Sequence, residues 1–283
     1  MPLIINTNID SLNAQRQLSA VNIRLARTFQ RLSSGLRINR AADDAAGLAI
    51  AEELQATVRG SRKAIQNAQD GIALMNVADG ASQSIMSNLQ RMRELTKQAA
   101  NDTYDVNKRG LIQEELDQLK NEITRIANGT TFNGVNLLNS AVPTRFVLQI
   151  GANNDTSTGG VDIVDIASAL GDLTASVGLS LGTTSVATNS MANQLASRID
   201  AAISVVNSRL ARLGAFTNRL EGIIANLETF VENTAAAESR IRDADIALET
   251  ATLTKNQILQ QSTIAILSQA NAQPQAALQL LQG

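Results

Sequence analysis

Residues 44 to 100 keep apolar side chains at helical intervals over a length that few compact domains can hold. Val58, Ile65 and Ile72 are seven apart, and Ile85, Leu89, Met92 and Leu95 continue at three-four spacing. Unbroken, the stretch would reach on the order of 85 Å at 1.5 Å per residue. That is too long for a single globule and suits a rod. The rest of the chain supports it. Only three Pro occur in 283 residues, and the apolar mass is Ala, Leu, Ile and Val, with 2% aromatic residues. Such a composition favours long helices packed side by side over a core filled by large rings.

Other segments follow the same logic. Leu18, Val21, Leu25, Phe29, Leu32 and Leu36 mark one face of a first helix, and Gly35 reads as its break. Asp43 and Asp44 precede "AAGLAIAEEL" as helix-cap candidates. "NDTYDVNKRG" reads as a turn. In the next helix Ile112, Leu116, Leu119, Ile123 and Ile126 form a heptad-like stripe. Asn133-Gly134, between Phe132 and Val135, predicts a hairpin, because a type I′ turn needs two residues with positive φ. "RFVLQIG" then reads as a strand with Phe146, Leu148 and Ile150 on one face. From about Asn153 to Asn189 the chain is rich in Gly, Ser, Thr and Asp, and reads as the exposed turning point, partly strand and partly loop. A long helix resumes near Met191. "SRIRDADIALE" marks a joint with Asp243 and Asp245 as cap candidates, and a last helix follows. The order is nearly palindromic, so the two termini are expected together, with antiparallel helices.

Several function classes lose support. No His and no Cys occur, which removes the commonest general base, the commonest metal ligand, thiolate metal sites and disulfides. The paired carboxylates of "ADDAAG" and "DADIALE" have no further acidic cluster beside them and read as helix caps. The glycines match no phosphate-binding loop. The expectation is a non-enzyme without cofactor or metal. A net charge of -2 gives nucleic acid no hold as the main partner. No stretch reaches the length of a membrane span, and the N-terminus lacks the features of a cleaved signal, so membrane insertion and a cleaved leader are not expected.

The ending "NQILQQSTIAILSQANAQPQAALQLLQG" has no charged residue after Lys255. Ile258, Leu259, Ile264, Ile266, Leu267, Leu278, Leu280 and Leu281 do not fall on one stripe. A helix apolar on several faces needs neighbours on several sides. Gln and Asn interrupt it and no basic residue anchors it to lipid, so further copies of the same chain are the expected cover. The same holds for "PLIINTNIDSL", where Ile5, Ile9 and Leu12 follow the helical period. A repeated head-to-tail contact that does not close builds a helical filament. A second surface lies in "NLQRMRELTKQAAN": Gln90, Arg91, Arg93, Glu94 and Lys97 crowd around Leu89, Met92 and Leu95. Leu89 and Met92 share a face, which leaves a remaining apolar group exposed at the edge, a composition suited to a protein contact.

At this point the residues resemble a known family, the bacterial flagellins, subunits of the flagellar filament. The resemblance covers roughly residues 1–150 and 190–283. It rests on "INTNIDSLNAQRQL", "RLSSGLRINRAADDAAGLAIAEEL", "QDGIALMNVADGA", "LQRMRELTKQAAN", "TTFNGVNLL", "SRIRDADIALE" and "QILQQSTIAILSQANAQPQAALQLL". It implies a mainly α fold: a coiled-coil-like rod of long antiparallel helices, a small β tip, and N- and C-terminal helices paired at one end. It implies a terminal inner domain over 1–40 and 242–283, a helical core with the hairpin over 41–152 and 190–241, and a short surface-exposed variable region over 153–189. Subunit packing would fall to Ile5, Ile9, Leu12, Leu18, Leu25, Ile264, Leu267, Leu278 and Leu281. Implied partners are further copies of the chain, an export chaperone at the C-terminal region, the flagellar export apparatus, the filament cap and the hook-junction proteins. The implied location is extracellular, after export in an unfolded state. In the family the "LQRxREL" stretch is also bound by the Toll-like receptor that senses flagellin; here Gln90, Arg91, Leu95 and Glu115 match that patch, and the same residues are expected as a contact between protofilaments. The runner-up reading is a flagellin-like adaptor between hook and filament.

Overall fold

The computed structural model describes residues 7–141, 145–151, 162–182 and 185–281, with side chains described as far as residue 273. The described chain is mainly α-helical. Its helices are α1 (Ile9–Ser34), α2 (Ala45–Ala99), α3 (Val106–Gly129), α4 (Asn189–Arg242) and α5 (Ile246–Leu281). Four short strands lie between α3 and α4: β1 (Thr131–Phe132), β2 (Val135–Asn136), β3 (Val147–Gln149) and β4 (Ile163–Asp165). Contacts divide the chain into two units, Thr57–Glu232 on one hand and Met1–Ala56 with Asn233–Gly283 on the other.

The Thr57–Glu232 unit holds the hydrophobic core. From α2 come Leu74, Met75, Ile85, Leu89, Met92 and Leu95; from α3, Ile112, Leu116 and Ile123; from α4, Leu195, Ile199, Val206, Leu213 and Leu220. The α3 stripe is the expected one, with Leu119 and Ile126 partly buried at its edge. Asp105 caps α3, its carboxylate accepting from the Lys108 N–H at 2.9 Å. Arg109 closes the turn behind it by donating to the carbonyls of Ala99 and Asn101 at the end of α2. The hairpin has the predicted turn. Thr131 pairs with Asn136 and Phe132 with Val135, and Asn133 and Gly134 both have positive φ, 49° and 77°.

The segment after the hairpin departs from expectation. β3 pairs antiparallel with β4, and Ile163, Val164, Ile166, Leu170, Leu173, Leu179 and Leu181 are buried in the same unit. The expectation of a surface-exposed region is therefore wrong for residues 163–181; residues 153–161, 183 and 184 lie outside the described ones. The backbone here is satisfied without long strands. The Leu173 N–H donates to Leu138 O at 2.9 Å, and Asp165 accepts from the N–H groups of Phe146 and Ala167. Polar residues in this segment serve its turns, so composition alone suggested exposure while alternate residues pack inward.

In the Met1–Ala56 and Asn233–Gly283 unit, α1 and α5 lie side by side and antiparallel. Asn8 bonds Ala270, Ser11 bonds Asn271, Asn22 bonds Gln260 and Arg31 bonds Glu249. Asn8 caps α1 by accepting from the Ser11 N–H. Gly35 ends the helix in the left-handed region, φ 71°, and returns its N–H to Arg31 O. The two joints meet here. Leu36 and Asp243 form an antiparallel bridge, the Arg37 N–H donates to Arg242 O at 2.6 Å, and Ala244 donates to Gly35 O at 2.9 Å. Asp44 caps α2 through the Gly47 N–H, and Asp245 caps α5 through Ala247 and Leu248. Burial alone would push the Asp43 carboxyl up. The N–H groups of Arg40 and Asn39, with the charges of Arg31 and Arg27, outweigh it and hold that carboxyl below its ordinary value.

Two glycines separate backbone need from backbone tolerance. A Cβ at Gly178 would lie 2.1 Å from the carbonyl oxygen of Asp172, which is backbone and cannot swing away. A Cβ on Gly80, inside α2, would meet nothing within 4 Å. Gly80→Ala should therefore stabilise the free subunit by about 0.5–1 kcal/mol. Gly178→Ala should lower its unfolding midpoint. Urea unfolding of both variants checks the pair.

Candidate functional site

The α1–α5 pair has an unusual seam. On α1 the residues Ser11, Ala14, Leu18, Val21, Leu25, Thr28 and Leu32 alternate three and four and are all buried or half-buried. On α5 the matching series is Glu249, Leu253, Asn256, Gln260, Thr263, Leu267 and Ala270. These are the a and d positions of a heptad repeat. The most buried of them are small or polar: Ser11, Ala14, Thr28, Glu249, Asn256 and Ala270, with Val21 the one larger aliphatic. Phe29, expected on the packed face, is instead 47% exposed, because the repeat advances from Leu25 to Thr28 and not to Phe29. An apolar-pattern reading passes over a seam built on Thr, Ser and Asn.

The seam's polarity has a use. Arg31 Nη1 and Glu249 Oε1 are 3.1 Å apart, and both side chains are largely buried. Removing one partner would strand the other charge, so the pair fixes register more than it adds stability. The bonds from Ser11 to Asn271 and from Gln260 to Asn22 act in the same sense.

Besides the half-buried leucines of the seam, a second set of large apolar side chains lies outside it. Ile9, Leu12, Ile23 and Phe29 on α1 are exposed, as are Ile246, Leu248, Ile258, Leu259, Ile264 and Ile266 on α5. Ile258 and Ile266 are each 58% exposed. They occupy several heptad positions, so no single neighbour covers them. Of the expected packing residues, Ile9, Leu12 and Ile264 are thus on the outer surface. Leu18, Leu25 and Leu267 are half-buried in the seam series, inside the subunit. Ile5 and the side chains of Leu278 and Leu281 lie outside the described residues. Ile23, Phe29, Ile246, Leu248, Ile258, Leu259 and Ile266 complete the outer set; Ile23 is hidden from an apolar template because the residues flanking it, Asn22 and Arg24, are polar.

The second surface lies on α2 and α3 of the other unit. Gln90, Arg91 and Glu115 are exposed. Arg91 donates to Glu115 from Nε at 3.0 Å and from Nη2 at 2.8 Å, and reaches Glu94 at 3.3 Å. Glu115 first, and Glu94 after it, raise the Arg91 guanidinium above its ordinary value. Leu95 does not belong to this surface. It is 3% exposed, and Leu89 and Met92 are fully buried beside it in the core. The expected exposed apolar anchor is absent there, because Leu89, Met92, Leu95 and Thr96 all turn to the inner face of α2. Among the described residues no group of three or more Asp or Glu side chains is arranged to hold a metal.

The family model described as the bacterial flagellin N-terminal helical region matches residues 5–142, and the bacterial flagellin C-terminal helical region matches residues 196–281. The flagellin of Halalkalibacterium halodurans is 42% identical over 99% of this chain and 100% of its own length. The chain belongs to the bacterial flagellin family. A flagellar filament 33 kDa core protein of Treponema phagedenis is 40% identical, again over 99% of this chain and 100% of its own. A crystal structure of Bacillus cereus flagellin aligns with TM-score 0.49 and 31% identity, over 61% of this chain and 94% of that one. The flagellin matches take in both surfaces described above.

Leu95 and Arg91 separate core from surface by measurement. Leu95→Ala should cost about 2–5 kcal/mol in urea unfolding, as a truncation of a filled core site. Arg91→Ala should cost no more than about 1 kcal/mol, the scale of an exposed ion pair.

Proposed function

We propose that this chain is a structural subunit that polymerises into the bacterial flagellar filament. The observation that carries the reading is the outward-facing apolar set on α1 and α5. Among the described residues, their unit has few fully buried apolar ones: Ala14, Val21, Ile38, Ala51 and Ala270. Covering a large apolar side chain is worth about 1.5–3 kcal/mol. The ten exposed ones on the two helices therefore represent a gross gain on the order of 10 kcal/mol or more. That is of the same size as the association cost of about 4–15 kcal/mol when further copies supply the cover. An adaptor between hook and filament is the less favoured reading, since curated flagellins and a filament core protein match over their full lengths.

Export and assembly follow from the same chemistry. The chain has no disulfide to form, and the α1–α5 unit buries too little to be firmly ordered alone. It suits passage in an unfolded state through the flagellar export apparatus, with a chaperone on the C-terminal region and folding under the filament cap. Its final place is then outside the cell. A secondary role as ligand of the flagellin-sensing Toll-like receptor is supported by the exposed trio Gln90, Arg91 and Glu115. A reporter-cell assay tests it: Arg91→Ala should weaken the response to monomer, and an unchanged response would count against the role.

Truncation after Lys255 should give a soluble subunit that no longer polymerises, seen by sedimentation and electron microscopy. Ile258→Asp and Ile266→Asp should each block assembly while leaving the thermal midpoint of the free subunit within about 1 °C, because surface substitutions in the monomer cost little. Normal filaments from the truncated chain would refute the assembly role of α5.

A further inference from the structure

Arg209 and Arg212 stand one turn apart on α4, and both guanidinium groups turn to the loop at residues 168–171. Arg209 Nη1 donates to Ser168 O at 2.9 Å and to Leu170 O at 2.7 Å. Arg212 Nη1 donates to the same Ser168 O at 3.2 Å. Gly171 makes the approach possible: its φ is +150°, and a Cβ there would lie 2.4 Å from Arg209 Nη2. The guanidinium is thus held against bare backbone.

These carbonyls are the partners that the two side chains have among the described residues; neither reaches a carboxylate there. Asp172, the acid nearest in sequence, accepts from the Thr174 N–H at 2.8 Å through Oδ1. Burial pushes the Arg209 guanidinium below its ordinary value, and the Arg212 charge pushes the same way. Two like charges therefore converge on one carbonyl oxygen, which carries only a partial charge. A guanidinium has five N–H donors in a planar fork, and here Nη1 of each is the atom given to the loop carbonyls. Forks of this kind match oxyanions in a bidentate manner, with charge-assisted bonds on the order of twice the strength of neutral ones.

We propose that Arg209 and Arg212 form a binding site for a small, doubly charged oxyanion of the phosphate or sulfate class, seated beside residues 168–171. The anion takes the free edges of both forks while the loop carbonyls hold the other edges. It neutralises the pair and ties the loop more firmly to α4. A ligand that binds only the folded state raises the unfolding midpoint with its concentration.

The test titrates the full-length, unassembled subunit with inorganic phosphate by calorimetry, against sodium chloride at equal ionic strength. Saturable one-to-one phosphate binding is expected, weakened at least tenfold in Arg209→Gln and in Arg212→Gln. Arg219→Gln, an exposed arginine of α4 outside the pair, should keep the parent affinity. Arg212 gives the loop a single bond, so Arg212→Gln should keep the parent thermal midpoint in chloride. It decides the question even if Arg209→Gln fails to fold. Absence of saturable binding, or equal affinity in the parent and Arg212→Gln, would overturn the proposal.

Discussion

The interaction on which the terminal unit depends is the small-residue seam between α1 and α5. Ala14, Thr28, Asn256 and Ala270 sit at its centre, where a self-sufficient coiled coil would place Leu or Ile. Small residues let the two backbones approach, and polar ones fix register through bonds such as Ser11 to Asn271 and Arg31 to Glu249. Neither supplies much hydrophobic stabilisation. Ordering a residue costs about 1–2 kcal/mol of backbone entropy, and helices of 26 and 36 residues must be ordered. The seam's leucines are only half-buried, and ten further large apolar side chains of the two helices face outward. The subunit is therefore built to be completed by its neighbours, which is what a polymer of identical chains needs.

The Thr57–Glu232 unit follows the opposite rule. Most of its large side chains turn in, its strands are short, and its turns are satisfied by caps and by Arg109. It stands on its own core. The difference between the units separates a firm module from an assembly-dependent one. What differs is where Leu and Ile are placed around each helix.

Much of this was legible from the residues. Helical periodicity marks four of the helices, the joint at "SRIRDADIALE" marks the start of the fifth, and Asn133-Gly134 predicts the turn that the structure has. Three features were not legible, for physical reasons. The α1–α5 seam is carried by Thr, Ser, Asn and Glu, which an apolar template skips, so Phe29 was placed inward when Thr28 is the buried residue. Residues 163–181 carry turn-forming polar groups beside buried aliphatics, so composition suggested exposure. Leu95 lies among charged neighbours, and only the packing of α2 shows that it faces the core.

The central claim is that the outer apolar positions of α1 and α5 are vacant in the single subunit and covered in the filament. The chain has no Cys, so single substitutions give clean probes. The decisive measurement is the rate of maleimide labelling at Ile258→Cys and Ile266→Cys, in the free subunit and in assembled filaments, with Ser176→Cys, an exposed position outside both contact surfaces, as the reference. The account predicts fast labelling at both positions in the free subunit, and at least tenfold slower labelling in variants that enter filaments, relative to the reference. Equal rates before and after assembly would contradict it.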